Sequence, residues 1–403
     1  MSVALETDIT EETVREISGQ FDEPEWLLET RLDAVAAIDE LDFPPVIKTP
    51  GRRWTNLEDL DYDRMVDPLS QTAKTEREMP EDVRVLPFHE ALDELPDVLE
   101  EQFGRIVDPQ QNRLTALSTA LFTNGTVVYV PEGVDAESVT IRTEMRGRSL
   151  FNYTLVITET NSSVTILERQ RTTGGVEDVR YYSGIVEIAA GENSYVQYGS
   201  LQDFDSSTYN YTLKRGRADT YGTIDWIEGN LGSRLTKTQV GTELTGDSSE
   251  TKIVGAFFGT DDQHFDLDSK VWHRGEHTNA DLVTRGVIDD SARSVYEGVQ
   301  DVGREAWDTN SYQRENTLML SDDSEADASP KLIINNHDTE ASHSATVGQV
   351  DREDLFYMIT RGLSEDRAED MLVQGFFVPV LEEIAVEELR QELEDRIESK
   401  LAS

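Results

Sequence analysis

The sequence contains no cysteine. That excludes disulfides, a thiol nucleophile, thiolate-bound zinc and an all-cysteine cluster site built from this chain alone. Lysine is also scarce: only eight of the 36 basic residues are lysine and the rest are arginine. No apolar run approaches the roughly 18 residues of a membrane-spanning helix, so none is expected. The opening stretch MSVALETDITEETVREIS is acidic and lacks an apolar signal core, so a cytoplasmic location is expected. No G-x-x-x-x-G-K-S/T loop, G-x-S-x-G elbow or H-E-x-x-H pair occurs. P-loop nucleotide hydrolysis, elbow-serine catalysis and zincin chemistry are therefore not expected.

What is abundant is negative charge. There are 81 acidic against 36 basic residues, a net charge of −45, spread along the whole chain. Such a surface repels nucleic acid and anionic membranes, and neither is an expected partner. A dispersed acidic excess also keeps a protein hydrated in concentrated salt, where a Debye length of about 3 Å at 1 M screens the self-repulsion. This predicts a salt-loving cytoplasm, with an ordinary acidic soluble protein as the alternative. The sequons at Asn124, Asn152, Asn161 and Asn210 read as strand and turn residues in the absence of an export signal.

The 403 residues suffice for two or three domains. Residues 1–120 read as a helical region. Thr10 can cap a helix over 9–40, and Trp26, Leu27, Leu32, Val35 and Ile38 suit one face. Residues 60–80 are polar and weakly patterned, which predicts a flexible linker. Helices return over 88–122. From 121 to 346 short strands recur, separated by Gly, Asn, Asp and Ser, with only Pro131 and Pro330 among them. This is an all-β region, and a sandwich, a barrel and a solenoid all fit, because no repeat of fixed length is visible. Residues 347–403 read as helical again. Asp351 and Ser364 are N-caps, Gly362 and Gly375 are helix ends, and an apolar stripe runs from Val380 to Leu401.

Six histidines are candidate ligands: His89, His264, His273, His277, His337 and His343. His273 and His277 are four apart, a metal-binding spacing on a helix, but Gly275 and the neighbouring strands argue against a helix; on a strand, the even spacing could still present both on one side. Structural hydrogen bonding is the preferred role for His264, His273 and His277, with metal ligation as the weaker alternative. His343 lies in the small-residue run Ser342-His343-Ser344-Ala345-Thr346, at an expected strand-to-helix junction where little bulk hides the imidazole.

The run Ser342 to Gly348, followed by Leu355-Phe356-Tyr357 and Arg361-Gly362, resembles the C-terminal signature of the Suf scaffold proteins, the paired SufB and SufD components of an iron–sulfur cluster assembly machine. SufB-type members have Glu after this His. SufD-type members have a small residue followed by Ala-Thr-Val-Gly, as Ser344 to Gly348 do here. Glu23-Pro24-Glu25-Trp26, Trp54-Thr55-Asn56-Leu57, Ala116 to Val134 and His264 to Gly286 resemble further family landmarks. The tryptophans among them are expected to be core anchors.

The resemblance implies a right-handed parallel β-helix core flanked by N-terminal and C-terminal helical domains. It implies a non-enzymatic scaffold that pairs with a SufB-like chain, or with itself, and docks SufC-like ABC ATPases. Phe356, Tyr357, Arg361, Gly362 and Phe376 are the candidate docking residues. It also implies that His343 is the candidate ligand for a transient iron–sulfur cluster or iron at the partner interface, since imidazole can replace thiolate at cluster iron. SufB-type chains carry a Cys in the segment matching Gln313 to Leu320, where this chain has Glu315 and Asn316. The thiolate must then come from the partner, and the isolated chain is expected to hold no cofactor. The alternative is a β-helix enzyme acting on acidic polysaccharide. Such an enzyme needs a signal peptide, a basic groove and a calcium-binding carboxylate cluster; the first is not seen, and the net charge would repel the substrate.

Overall fold

The computed structural model describes residues 9–174 and 178–402; the first eight residues of the acidic N-terminus lie outside them. Helix α1 (Glu11–Gln20) begins at Thr10, whose side chain accepts a hydrogen bond from the Thr13 amide. Helix α2 (Glu25–Ala37) follows. The helical stretch expected over 9–40 is thus two helices. Asp22 takes a left-handed φ of 50° and Pro24 caps the second helix, so the chain turns between them. Strands β1 (Lys48–Thr49) and β2 (Arg52–Arg53) form a small antiparallel hairpin turned at Gly51. Then come α3 (Tyr62–Met65), β3 (Ala73–Glu78), β4 (Arg84–Pro87), α4 (Phe88–Glu94), α5 (Pro96–Gln102) and α6 (Arg113–Leu121).

The linker expected at 60–80 is not one. Tyr62 and Met65 are buried, and β3 pairs antiparallel with a core strand. Its sequence AKTERE looked unstructured because it is a sheet-edge strand whose Lys74, Glu76 and Glu78 alternate outward.

The core strands are β5 (Asn124–Val130), β6 (Val139–Met145), β7 (Ser149–Thr158), β8 (Ser163–Thr172), β9 (Arg180–Ala190), β10 (Tyr195–Asp203), β11 (Thr208–Ala218) and β12 (Thr223–Asn230). They continue as β13 (Leu235–Leu244), β14 (Glu250–Gly259), β15 (His264–His273), β16 (Asn279–Ile288), β17 (Arg293–Val302), β18 (Thr309–Met319), β19 (Glu325–Ile334) and β20 (Thr339–Gln349). Each pairs in parallel with the strand two places on. Odd strands from β5 to β19 therefore form one sheet and even strands from β6 to β20 the other, with β4 and β3 closing their near ends antiparallel. The result is a flattened parallel β-solenoid with two strands per coil.

A coil takes 26 residues from Tyr209 to Leu235, 29 from Leu235 to His264 and 32 from Arg293 to Glu325. That variation is why no fixed repeat is visible. The turns at one corner stack in register. Asn161, Asn193, Tyr221, Ser248, His277 and Asp308 all adopt left-handed φ there. Their amides bond along the stack, Asn161 to the Glu192 carbonyl and Asn193 to that of Thr220.

Val156, Val186 and Ile188 of one sheet meet Ile166, Val196, Ile224 and Trp226 of the other inside the solenoid. Both outer faces are covered as well. The N-terminal helices pack Phe88, Leu117 and Phe122 onto Phe151, Tyr153, Leu155 and Leu213 of the odd sheet. The C-terminal helices are α7 (Arg352–Thr360), α8 (Glu365–Leu381) and α9 (Glu387–Leu401). The last two pack Val373, Phe377, Leu389 and Leu393 onto Leu167, Leu201, Ile227 and Val254 of the even sheet.

Asp351 and Ser364 cap as expected, and Gly362 has φ 98°. Gly375, however, does not end its helix. Helix α8 runs through it to Leu381, and the expected stripe from 380 to 401 is interrupted before α9.

Candidate functional site: the open end of the solenoid

The two ends of the solenoid differ. At the near end β3 presents alternating charges, a device that blunts an edge. At the far end β19 and β20 each have a strand neighbour on one side only. Strand β20, TEASHSATVGQ, carries one carboxylate and no Lys, Arg or Pro.

His343 lies in the middle of β20, opposite Gln313 of β18, rather than at a strand-to-helix junction. The small neighbours misled the boundary: Ser, Ala and Thr there are strand residues facing space, not a loop. In-register parallel partners face the same side. Ser311, Gln313, Glu315 and Thr317 form the buried, inward row of β18. Ala341, His343, Ala345 and Val347 continue that row on β20, where His343 is exposed because no further coil covers it. Along the ladder Trp226, Ile253 and Leu282 give way to Gln313 and then His343. The interior changes from apolar to polar as it reaches the mouth.

Beneath the mouth, Thr317 Oγ1 donates to Glu315 Oε1 at 2.5 Å. Glu315 Oε2, Gln313 Oε1 and Ser311 Oγ are buried without a hydrogen-bond partner. Burial pushes the Glu315 carboxyl up to about 7, against the pull of the Thr317 hydrogen bond. The sequence placed Glu315 where a thiolate might sit but did not show it facing inward. The usable signal was the alternation Ser311, Gln313, Glu315, Thr317. Among the described residues no three His, Asp or Glu side chains are grouped to hold a metal ion. At this end the chain places an imidazole and a carboxylate on neighbouring strands.

The other candidate histidines are dispersed. His264 opens β15 on the outer face, its Nε2 2.7 Å from Thr55 Oγ1 under the N-terminal segment. His273 ends the same strand inside the core, with Nδ1 2.8 Å from Thr278 Oγ1 and Nε2 3.2 Å from Gln300 Oε1. An amide oxygen only accepts, so the network assigns the proton to Nε2. His277 does not share a strand face with His273. It occupies a left-handed corner position, φ 59°, with Nδ1 2.8 Å from Asp308 Oδ2. The three rings have hydrogen-bonding roles and do not converge.

Burial lowers the pKa of both His264 and His273 to about 4, and the cations Arg293, Lys237 and Arg52 add to the effect at His264. The folded pKa lies below the unfolded value near 6.5, so the stabilising neutral ring is fully present above that value. Its contribution is lost as pH falls toward 4, up to about 3 kcal/mol for each ring. Urea midpoints should therefore fall between pH 6.5 and 4, and His273→Gln should remove part of that slope. A wild-type-minus-variant difference that stays constant from pH 7 to 4 would show that this ring is not held neutral.

The remaining candidates lie on the C-terminal helices. None of the α7 residues is buried, and Phe356 and Tyr357 are 68% and 57% exposed. Arg361 Nη2 donates to the Tyr357 hydroxyl at 3.1 Å, ahead of the turn at Gly362. Phe376 is placed differently. It is half-buried on α8 under the Arg285 guanidinium, which also donates to the Phe376 carbonyl.

Fold and site together define a β-solenoid protein with one uncovered end, an accessible imidazole there and no thiol of its own. Residues 140–376 match the family model for the SUF system FeS cluster assembly, SufBD core domain, and residues 55–141 match the SufBD protein N-terminal region. The chain belongs to the SufBD family of iron–sulfur cluster assembly proteins. It is 28% identical to the iron–sulfur cluster assembly protein SufD of Bacillus subtilis over the full length of both. It is 26% identical to SufB of the same organism, covering 95% of this chain and 91% of the relative. A SufBD family protein of Staphylococcus saprophyticus matches at 26% with the same coverage. This membership does not favour the polysaccharide alternative. No helix among the described residues is long and apolar enough to cross a membrane.

Proposed function

We propose that this chain is a non-catalytic SufD-type scaffold subunit that pairs through β19 and β20 with a SufB-type chain and presents His343 to an iron–sulfur cluster. The carrying observation is the uncovered inward row of β20, with an exposed imidazole in an edge strand that lacks the usual defences against pairing. Ten- and eleven-residue edges suit strand addition, and exposed Ile333, Ile334 and Val347 offer apolar area beside the ladder. The partner supplies the thiolate that this cysteine-free chain lacks. The exposed α7, with Phe356, Tyr357, Arg361 and Gly362, is the proposed docking element for SufC-type ATPases. A nearby apolar groove of about 200 Å³ between α8 and α9, lined by Phe377, Val378, Leu381 and Ile397, would extend it. ATP-driven closure would act by favouring one arrangement of the scaffold pair over another.

The test is reconstitution with a SufB-type chain and an ATPase subunit, followed by complex mass and bound iron and sulfide. His343→Ala should sharply reduce cluster content while the complex survives, because an exposed imidazole buries little area and its loss costs about 0.5 kcal/mol or less. Wild-type cluster content in that variant would remove the ligand role. Loss of the complex would make His343 an interface residue instead. Failure to pair with any SufB-type chain, with a stable mass of twice one chain, would make the pairing homodimeric.

A further inference from the structure

We propose that Glu315 is the second ligand, after His343, that this chain contributes to a divalent-cation seat at the solenoid mouth. The inference rests on the reading that His343 meets iron, and extends it to a residue on the strand beneath. Glu315 pairs with Ala345 and His343 with Gln313, so the two side chains stand on adjacent strands, offset by two residues on one inward face. Strands lie about 4.8 Å apart and two residues span about 6.6 Å, so the two Cα atoms are about 8 Å apart on the diagonal. A carboxylate and an imidazole can converge on one ion across that distance. Small Ala341 and Ala345 flank His343 on β20, and the facing row of β19 reads Ala326, Ala328, Pro330 and Leu332.

Glu315 is 3% exposed, and among the described residues Thr317 makes the one hydrogen bond to its carboxylate. The second oxygen is orphaned, and buried polar atoms rarely stay so without a reason. A purely structural residue at this place could be Gln, which would accept the same hydrogen bond without charge. A carboxylate with a free oxygen under an imidazole is instead a donor set for a borderline divalent ion such as ferrous iron. Two ligands leave positions open for a partner thiolate and water. The seat is therefore weak in the isolated chain.

The experiment maps where iron sits in the full chain. Ferrous iron is added anaerobically in molar KCl, which screens the acidic surface. Ascorbate and peroxide then generate hydroxyl radical at the bound metal, and mass spectrometry locates backbone scission. Scission is expected in β18 around 313–317 and in β20 around 341–345. Both should fall about tenfold or more in Glu315→Gln and in His343→Ala. Adding Asn316→Asp to Glu315→Gln restores the charge on the outward face and should not restore scission. Rescue by that change would mean that charge alone matters, and would overturn the proposal. Wild-type scission confined to β20 would overturn it whether or not any variant folds. Loss in His343→Ala with retention in Glu315→Gln would also overturn it while leaving the His343 reading intact. Loss in Glu315→Gln with retention in His343→Ala would overturn the shared seat. No scission at either strand in the wild type would overturn the seat in this chain, while the His343 reading stands or falls on reconstitution with a SufB-type partner.

Discussion

Lys237→Met is expected to lower the unfolding free energy by about 3–5 kcal/mol, measured by urea denaturation at neutral pH. Lys237 is fully buried on the outer face of the odd sheet. Its ammonium donates to Asp266 Oδ1 at 2.6 Å and Asp268 Oδ2 at 2.9 Å. Burial alone would lower the Lys237 pKa, but Asp268 and Asp266 overcome that and raise it, so the group stays charged. Gln239 Nε2 adds a hydrogen bond to Asp268 at 2.7 Å. Methionine keeps the stem's volume and removes the charge, leaving buried Asp266 without its ammonium and Asp268 with Lys270 at 4.0 Å. Those carboxylates would then protonate more easily, so the deficit should shrink as pH falls toward 5. Adding Asp266→Asn and Asp268→Asn should recover much of the loss, because the cost lies in the stranded charges. A deficit below about 1 kcal/mol would mean that water already reaches the cluster.

Deleting residues 350–403 is expected to leave a core that aggregates, rather than a folded solenoid that has merely lost its docking helices. The sequence turns from strand-rich to helix-rich near 347, and in the fold the two parts share one apolar cluster. Val373, Phe377, Val380, Leu381, Ile384, Leu389, Leu393 and Ile397 are buried in one cluster with residues of the even sheet. At about 1.5–3 kcal/mol for each of these eight side chains, their burial contributes roughly 12–24 kcal/mol, as an upper figure. Truncation would also uncover Leu167, Leu201, Ile227, Val254 and Phe258 as one apolar patch. A cut at 347 would in addition shorten β20 itself. Light scattering and gel filtration of the truncated chain check this, and a monodisperse, cooperatively folding core would contradict it. ATPase docking is better tested by Phe356→Ala and Tyr357→Ala on exposed α7, which should weaken subunit binding without moving the melting temperature.

Local chemistry was legible residue by residue. Thr10, Asp351 and Ser364 cap helices because their side chains satisfy free amides, and Gly362 turns because it tolerates a positive φ. The all-β middle showed in its short strands and turn residues. Edge strand β3 was read as a linker because edge strands are polar. The pair His273 and His277 was read as one strand face because a stacked corner with left-handed φ leaves little mark except its Asn, Asp, Ser and His residues.

By itself, the sequence determined which chemistry is absent and which motif is present: no thiol anywhere, and a histidine in a Ser-to-Gly run with a SufD-type pattern. It also determined the flanking helices and the strand-rich core. Only the tertiary structure decided which sides those strands show. Coils of 26 to 32 residues leave no period to read, so the pairing of Gln313 with His343 and of Glu315 with Ala345 is set by stacking over the whole solenoid. The same stacking ends at β20. Inward residues that would be core in any earlier coil there become a surface, because no further coil covers them.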